Sequence, residues 1–194
     1  MRIVVTGTDT GVGKTYVSAA LCDERSTYVK AAQTGDDDDA RTVRERSGAT
    51  VHTLAAYPEP LSPERSAARA GVPCITPQEI ARFVDTLEGR VVVEGAGGLL
   101  VRFGDGGTIA DVAELLDAPL IVVARAGLGT LNHTALTVEA IERRGLRCLG
   151  IVIGSWPHDP DLASLCNLDD LAAIAPVLGK LPEGGKDLKL EIPA

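Results

Sequence analysis

Short apolar runs alternate along this chain with segments whose apolar residues recur at helical spacing. Residues 2–5, 27–32, 90–93, 120–124 and 148–153 read as buried strands, and 177–181 as a shorter one. Between them, residues 14–21 predict a helix. Thr76-Pro77-Gln78-Glu79 is a capping box with proline at the first helical position, and it opens a helix with Ile80, Phe83, Val84 and Leu87 on one face. Thr108 and Asp111 repeat the capping pattern. Thr130 or Asn132 can cap a further helix running to Arg144, with Gly145 as its stop. Alternating β and α segments predict an α/β fold: one doubly wound domain over residues 1–194, with a mostly parallel sheet flanked by helices.

Composition sharpens this picture. Aromatic residues make up only 3% of the chain, so Val, Leu, Ile and Ala must fill the interior, as helices laid on a buried parallel sheet require. The net charge is −8 and no Lys/Arg block stands out, which argues against nucleic-acid or membrane binding through a basic face. Cys22, Cys74, Cys148 and Cys166 are far apart and form no Cys-x-x-Cys pair, so they read as reduced thiols of a cytoplasmic protein. No apolar run reaches 18 residues and Asp9 interrupts the first one, so neither a signal peptide nor a membrane anchor is expected.

The chemistry starts where the first strand ends. Gly7-Thr8-Asp9-Thr10-Gly11-Val12-Gly13-Lys14-Thr15 runs from that strand into the first predicted helix. Glycines here let backbone N–H groups close around phosphate oxygens, and the helix start adds its positive dipole end. Lys14 would reach the outer phosphates and Thr15 would hold Mg²⁺. The loop is one residue longer than the usual Gly-x4-Gly-Lys-Ser/Thr, because Thr8 stands where the first glycine belongs. This places the fold in the P-loop NTPase type.

Three further clusters fall at carboxyl ends of strands, where open parallel sheets bind ligands. Lys30 ends the second strand, followed by Thr34-Gly35; position alone leaves it either an active-site amine or a solvated lysine. Asp36 to Asp39 follow directly, and one of the four is a candidate Mg²⁺ ligand, though such a run also suits a helix start. Glu94 ends a run of three valines and leads into Gly95-Ala96-Gly97-Gly98, which places a carboxylate near the metal that Thr15 would touch. Gly129-Thr130-Leu131-Asn132 begins a helix after another Gly-containing turn and could hold a carboxylate or phosphate; His133 beside it reads as a surface residue.

Together these residues closely resemble the dethiobiotin synthetase family over essentially the whole chain. The resemblance rests on the lengthened phosphate loop, Lys30 with Thr34-Gly35, the block from Val93 to Gly98, the stretch from Gly129 to His133, and the stretch from Ile151 to Trp156. It implies a cyclo-ligase that uses ATP and Mg²⁺ to carboxylate 7,8-diaminononanoate with CO₂ and close it to dethiobiotin, through a carbamate and a carbamic–phosphoric anhydride. It implies catalytic roles for Lys14 and Lys30 and metal ligands at Thr15, Asp39 and Glu94. Nucleotide contacts would come from Gly11, Val12, Gly13, Lys14, Thr15 and Tyr16, from Asp39, and from Glu94, Gly95, Ala96 and Gly97. A base pocket would be lined by Gly154, Ser155, Pro182 and Glu183. Substrate contacts would come from Thr34 and from Gly129, Thr130, Leu131 and Asn132, the latter four across a homodimer interface. The chain departs from the family at Ala31, where a proline is frequent, and at Gly154, where many members carry an adenine-reading Asn. The second departure implies that other nucleoside triphosphates are accepted beside ATP.

Other users of this loop fit less well. Chromosome-partitioning and septum-placing ATPases usually carry an extra lysine early in the loop, where this chain has Thr8, Asp9 and Thr10. Corrin-ring amidoligases need a glutaminase domain for which 194 residues leave no room. A non-enzymatic binding module would bind nucleotide without substrate-dependent phosphate release.

Overall fold

The computed structural model describes residues 1–184 and 190 of the chain. In chain order the strands are β1 (Arg2–Gly7), β2 (Ser26–Lys30), β3 (Gln33–Thr34), β4 (Thr50–Thr53), β5 (Ala56–Tyr57), β6 (Arg90–Gly98), β7 (Leu120–Ala124), β8 (Cys148–Trp156) and β9 (Val177–Pro182). The helices are α1 (Lys14–Leu21), α2 (Asp39–Ser47), α3 (Pro63–Ala70), α4 (Pro77–Asp85), α5 (Ile109–Leu115), α6 (Thr130–Arg143) and α7 (Leu162–Leu171). Seven strands form one sheet in the order β4-β2-β6-β1-β7-β8-β9, every neighbouring pair parallel. Strands β3 and β5 make a separate two-stranded patch.

The period-2 pattern of the strands sorts the core into two layers. Ile3, Val5, Val92, Ile121 and Val123 face one side and bury Val17 and Leu21 of α1. Val4, Val91, Val93, Leu120 and Val122 face the other, against Ile80 and Val84 of α4, Val112 of α5, and Val138 and Ile141 of α6. Burial on both faces is why these strands read as continuous apolar runs. The chain moves from central β1 outward to β2 and β4, returns to β6, and then leaves on the opposite side through β7, β8 and β9. The reversal lies around β1, so the carboxyl ends of β1, β6 and β2 border one crevice.

Several predicted boundaries move. The strand predicted to reach residue 32 stops at Lys30, where the Ala31 N–H still closes the ladder with β6 at the Glu94 carbonyl (3.0 Å). Strand β6 runs on through Gly98, its glycines pairing beside the loop after β1, with Gly7 opposite Gly98. The Thr76–Glu79 box forms as predicted, but α4 ends at Asp85, so Leu87 packs from the turn beyond. Neither Thr130 nor Asn132 caps α6; Gly129, in the left-handed region at φ 92°, takes that place without a side-chain bond. The helices α2, α3 and α7 and the strands β3, β4 and β5 add to the expected elements. Helix α2 buries only Ala40 and Val43 among nine residues, too narrow a stripe to register as a period.

Candidate active site

Glycine backbone geometry builds the phosphate loop. Gly13 sits at φ 95° and ends the loop as the N-cap of α1. The Thr8 N–H donates to the Val123 carbonyl (2.9 Å), tying the loop to β7, and the Val17 N–H closes the first helical turn onto Gly13. Lys14 is 7% exposed, with Nζ donating to the Asp9 carbonyl at 3.0 Å, so its chain lies back along the loop and its ammonium faces the loop interior. Burial lowers its pKa, partly offset by Glu94.

Six side chains from four elements meet beside it. Glu94, at the carboxyl-terminal part of β6, is fully buried. Its Oε1 accepts from Lys30 Nζ (2.7 Å) and Thr15 Oγ1 (3.2 Å); its Oε2 accepts from Ser18 Oγ (2.7 Å) and Tyr28 Oη (3.1 Å). Asp39, the first residue of α2, shares that single Thr15 hydroxyl proton at the shorter distance (2.8 Å) and pairs with Lys30 Nζ (2.5 Å). Lys30 also donates to the Gly95 carbonyl (3.2 Å). A lone carboxylate this deep would be prohibitively costly; here Lys30 neutralises it and both of its oxygens accept hydrogen bonds. Burial works against the Lys30 ammonium, yet Glu94 and Asp39 outweigh it and hold its pKa above the ordinary value. Burial likewise pushes Asp39 up, and Lys30 with Thr15 more than reverses this.

The donor set suits Mg²⁺. Thr15 Oγ1 lies within hydrogen-bond reach of both Asp39 Oδ1 and Glu94 Oε1, which clusters three hard oxygens at the edge of the phosphate loop. Mg²⁺ takes one or two carboxylates and completes its shell with waters and phosphate oxygens. The balance of two lysines against two carboxylates leaves room for the metal's charge only together with an anionic phosphate chain.

Other anticipated residues are placed as follows. Asp38 caps α2 by accepting from the Arg41 N–H (2.9 Å), so the aspartate run is a helix start as well as the source of Asp39. Thr34 lies on β3 opposite Tyr57, and the Gln33 side chain accepts from the Asp39 N–H (3.4 Å), connecting this patch to the cluster. Ala96 and Gly97 lie beside the loop; a Cβ on Gly97 would stand 3.5 Å from Thr10 Oγ1. Among the described residues, Gly129 to Asn132 make no hydrogen bond with the cluster; the β7–α6 turn reaches the phosphate loop through Arg125, which pairs with Asp9 at 2.6 Å. His133 is exposed on α6. Pro182 and Glu183 close the far end, the Glu183 N–H donating to the Trp156 carbonyl (2.8 Å). Tyr16 is 38% exposed, with the Arg46 guanidinium 4.6 Å over its ring.

Gly154 packs closely on the phosphate loop. A Cβ added there would lie 2.0 Å from the Val12 carbonyl oxygen, and one on Gly13 would lie 2.4 Å from the Gly154 carbonyl oxygen. The end of β8 and the phosphate loop thus meet backbone to backbone, and no side chain fits between them. The exposed neighbour Ser155 is the residue of this stretch that faces outward.

Two residues of the cluster, Ser18 and Tyr28, escaped the sequence reading. The signal was present: Ser18 is three residues after Thr15 on one helix face, and Tyr28 two before Lys30 on one strand face.

The chain has relatives among known proteins. Residues 1–186 match the family described as an AAA domain. The chain is 54% identical to the ATP-dependent dethiobiotin synthetase BioD of Saccharopolyspora erythraea over 195 residues, covering 94% of this chain and 87% of that protein. It is 50% identical to the protein of the same name from Rhodococcus jostii, covering 94% and 86%. Among solved structures, the fold resembles the septum site-determining protein MinD of Pyrococcus horikoshii (TM-score 0.58, 15% identity, 94% of this chain and 81% of that one). It also resembles a ParA family ATPase of Chlorobium tepidum (TM-score 0.57, 13% identity, 94% and 85%). At such identities these two share the fold alone, whereas the dethiobiotin synthetases match in sequence along nearly the whole chain; the protein belongs to the ATP-dependent dethiobiotin synthetase family.

Proposed function

We propose that this protein makes dethiobiotin from 7,8-diaminononanoate, CO₂ and ATP, with its 194 residues working as one nucleotide-binding domain. The observation that carries the reading is the meeting of Lys14, Thr15, Lys30, Asp39 and Glu94 at the end of the phosphate loop. One substrate amine takes up CO₂ and loses a proton, giving a carbamate. A carbamate oxygen attacks the γ-phosphorus of ATP and releases ADP. The second amine then attacks the carbamoyl carbon, closes the cyclic urea and expels phosphate. Phosphoryl transfer of this kind is accelerated chiefly by positioning and charge neutralisation.

Lys14 holds the outer phosphates and Lys30 neutralises charge on the transferring group. Thr15, Asp39 and Glu94 hold Mg²⁺, which when bound offsets the charge of the β- and γ-phosphate oxygens. Gly11 to Tyr16 and Gly95 to Gly97 enclose the phosphate chain. Ser155, Pro182 and Glu183 border the base, and the backbone contact at Gly154 sets the depth of that pocket. With no side chain at Gly154 to read the base, CTP, GTP or UTP are accepted beside ATP. Thr34 contacts the diamine end. The helix start at Gly129 to Asn132 receives the substrate carboxylate from a second copy, so a homodimer completes each site; Leu128 beside it is 87% exposed. No helix among the described residues is long and apolar enough to cross a membrane, which is consistent with a cytoplasmic enzyme.

The test mixes protein, diaminononanoate, bicarbonate, Mg²⁺ and each nucleoside triphosphate in turn. Formation of the cyclic urea by mass, matched by phosphate release, is the expected result. Nucleotide hydrolysis that is indifferent to the diamine would overturn it.

A further inference from the structure

We infer that Ser18 and Tyr28 are positioning residues that clamp Glu94 so that it offers one chosen oxygen to the metal. The inference rests on the Mg²⁺ site proposed above and extends it to two residues that touch neither metal nor nucleotide.

The four donors to Glu94 divide evenly. Lys30 and Thr15 approach Oε1, and both also bond Asp39. Ser18 and Tyr28 approach Oε2, at 2.7 and 3.1 Å. Oε1 is therefore the oxygen turned to the phosphate loop, and Oε2 is turned into the protein. Ser18, Tyr28 and Glu94 are each fully buried, so water has no access to replace either hydroxyl. A carboxylate held by two hydroxyls at one oxygen cannot rotate about its terminal bond without breaking both. It also cannot turn both oxygens to one cation. The clamp thus selects a single-oxygen contact, as suits the small octahedral shell of Mg²⁺, which keeps waters and phosphate oxygens in its other positions.

The clamp is built from two of the elements that carry the site. Ser18 follows Thr15 by one helical turn on α1, and Tyr28 precedes Lys30 by two residues on β2. A shift of α1 would move Thr15 and Ser18 together, and a shift of β2 would move Tyr28 and Lys30 together, so each clamp hydroxyl keeps its spacing to a neighbour in the site. Groups that orient a metal ligand in this manner typically contribute a factor of about 10–100 in metal affinity.

The test measures metal binding directly. Mn²⁺ replaces Mg²⁺ and is titrated by electron paramagnetic resonance into protein saturated with an ATP analogue whose β–γ bridge resists cleavage. Tyr28→Phe removes one oxygen atom at nearly constant shape, and Ser18→Ala removes the other hydroxyl. Each should raise the Mn²⁺ dissociation constant about tenfold, and the pair together toward a hundredfold. Affinity for the same analogue in EDTA should be unchanged, since neither hydroxyl faces the phosphates. Unmoved Mn²⁺ affinity in a folded Tyr28→Phe protein would overturn the inference, even if its melting temperature falls, because a merely structural hydroxyl would show only the latter. Failure of the unmodified protein to bind Mn²⁺ with the analogue would instead overturn the metal site itself.

Discussion

Lys30 and Glu94 are register partners on adjacent parallel strands, and their side chains join at 2.7 Å in the interior. The backbone ladder between β2 and β6 thus fixes an ion pair directly below the phosphate loop. The pair is shared with Asp39 from a helix start, so one ammonium serves two carboxylates.

Glu94→Gln tests that arrangement. The amide keeps the size but loses the charge, and its NH₂ group would confront donors on one side. Breaking a buried pair costs on the order of 3–5 kcal/mol, and Asp39 as the remaining partner of Lys30 should hold the loss toward the lower end. Chemical denaturation should show this destabilisation, and the Mg²⁺ requirement of turnover should rise sharply. An unmoved Mg²⁺ titration would take Glu94 out of the metal site.

Lys14→Ala should abolish turnover while the fold persists. Among the described residues its ammonium hydrogen-bonds a loop carbonyl and forms no ion pair, so its loss breaks no direct pairing of a buried charge. Removing one such charge contact to a transferring phosphoryl group should slow turnover by about 10²–10³. Single-turnover kinetics on the folded variant would measure it, and near-normal rates would refute the assignment.

Gly154→Asn should lower kcat/KM with every nucleotide instead of sharpening the preference for ATP. The new Cβ would start 2.0 Å from the Val12 carbonyl oxygen, so the loop must move before the amide can reach any base. Comparing four nucleotides in both proteins decides the matter. A gain in ATP selectivity at undiminished rate would show that the loop yields without loss.

Acid should weaken the cluster only at low pH. Lys30 holds the Asp39 pKa below its ordinary 3.8, so the stabilisation is fully present above that value and disappears as pH falls through the folded-state value. The raised pKa of Lys30 gives the mirror case: its share is complete below 10.5 and is lost only as pH rises through the higher folded-state value. The stability difference between the unmodified protein and Asp39→Asn should therefore stay level between about pH 5 and 9 and shrink below pH 3.8. A difference that changes across neutral pH would contradict the pairing.

The sequence by itself determined the parts of this protein that depend on neighbours along the chain. Val91 to Val93 announced a strand buried on both faces, Thr76 to Glu79 a helix start, and Gly11 to Thr15 a phosphate loop, because period, caps and turn conformation are local properties. Glu94 was legible as a functional carboxylate because an acid has no packing reason to end such a strand. Only the tertiary structure decided that Lys30 is buried and paired instead of solvated, since that depends on β6 lying beside β2, more than sixty residues away in sequence. It alone distinguished Asp39, which reaches Thr15, from Asp38, which caps a helix. It alone showed that Gly154 carries the phosphate loop on its backbone, because the space a side chain would need is set by a segment far away along the chain.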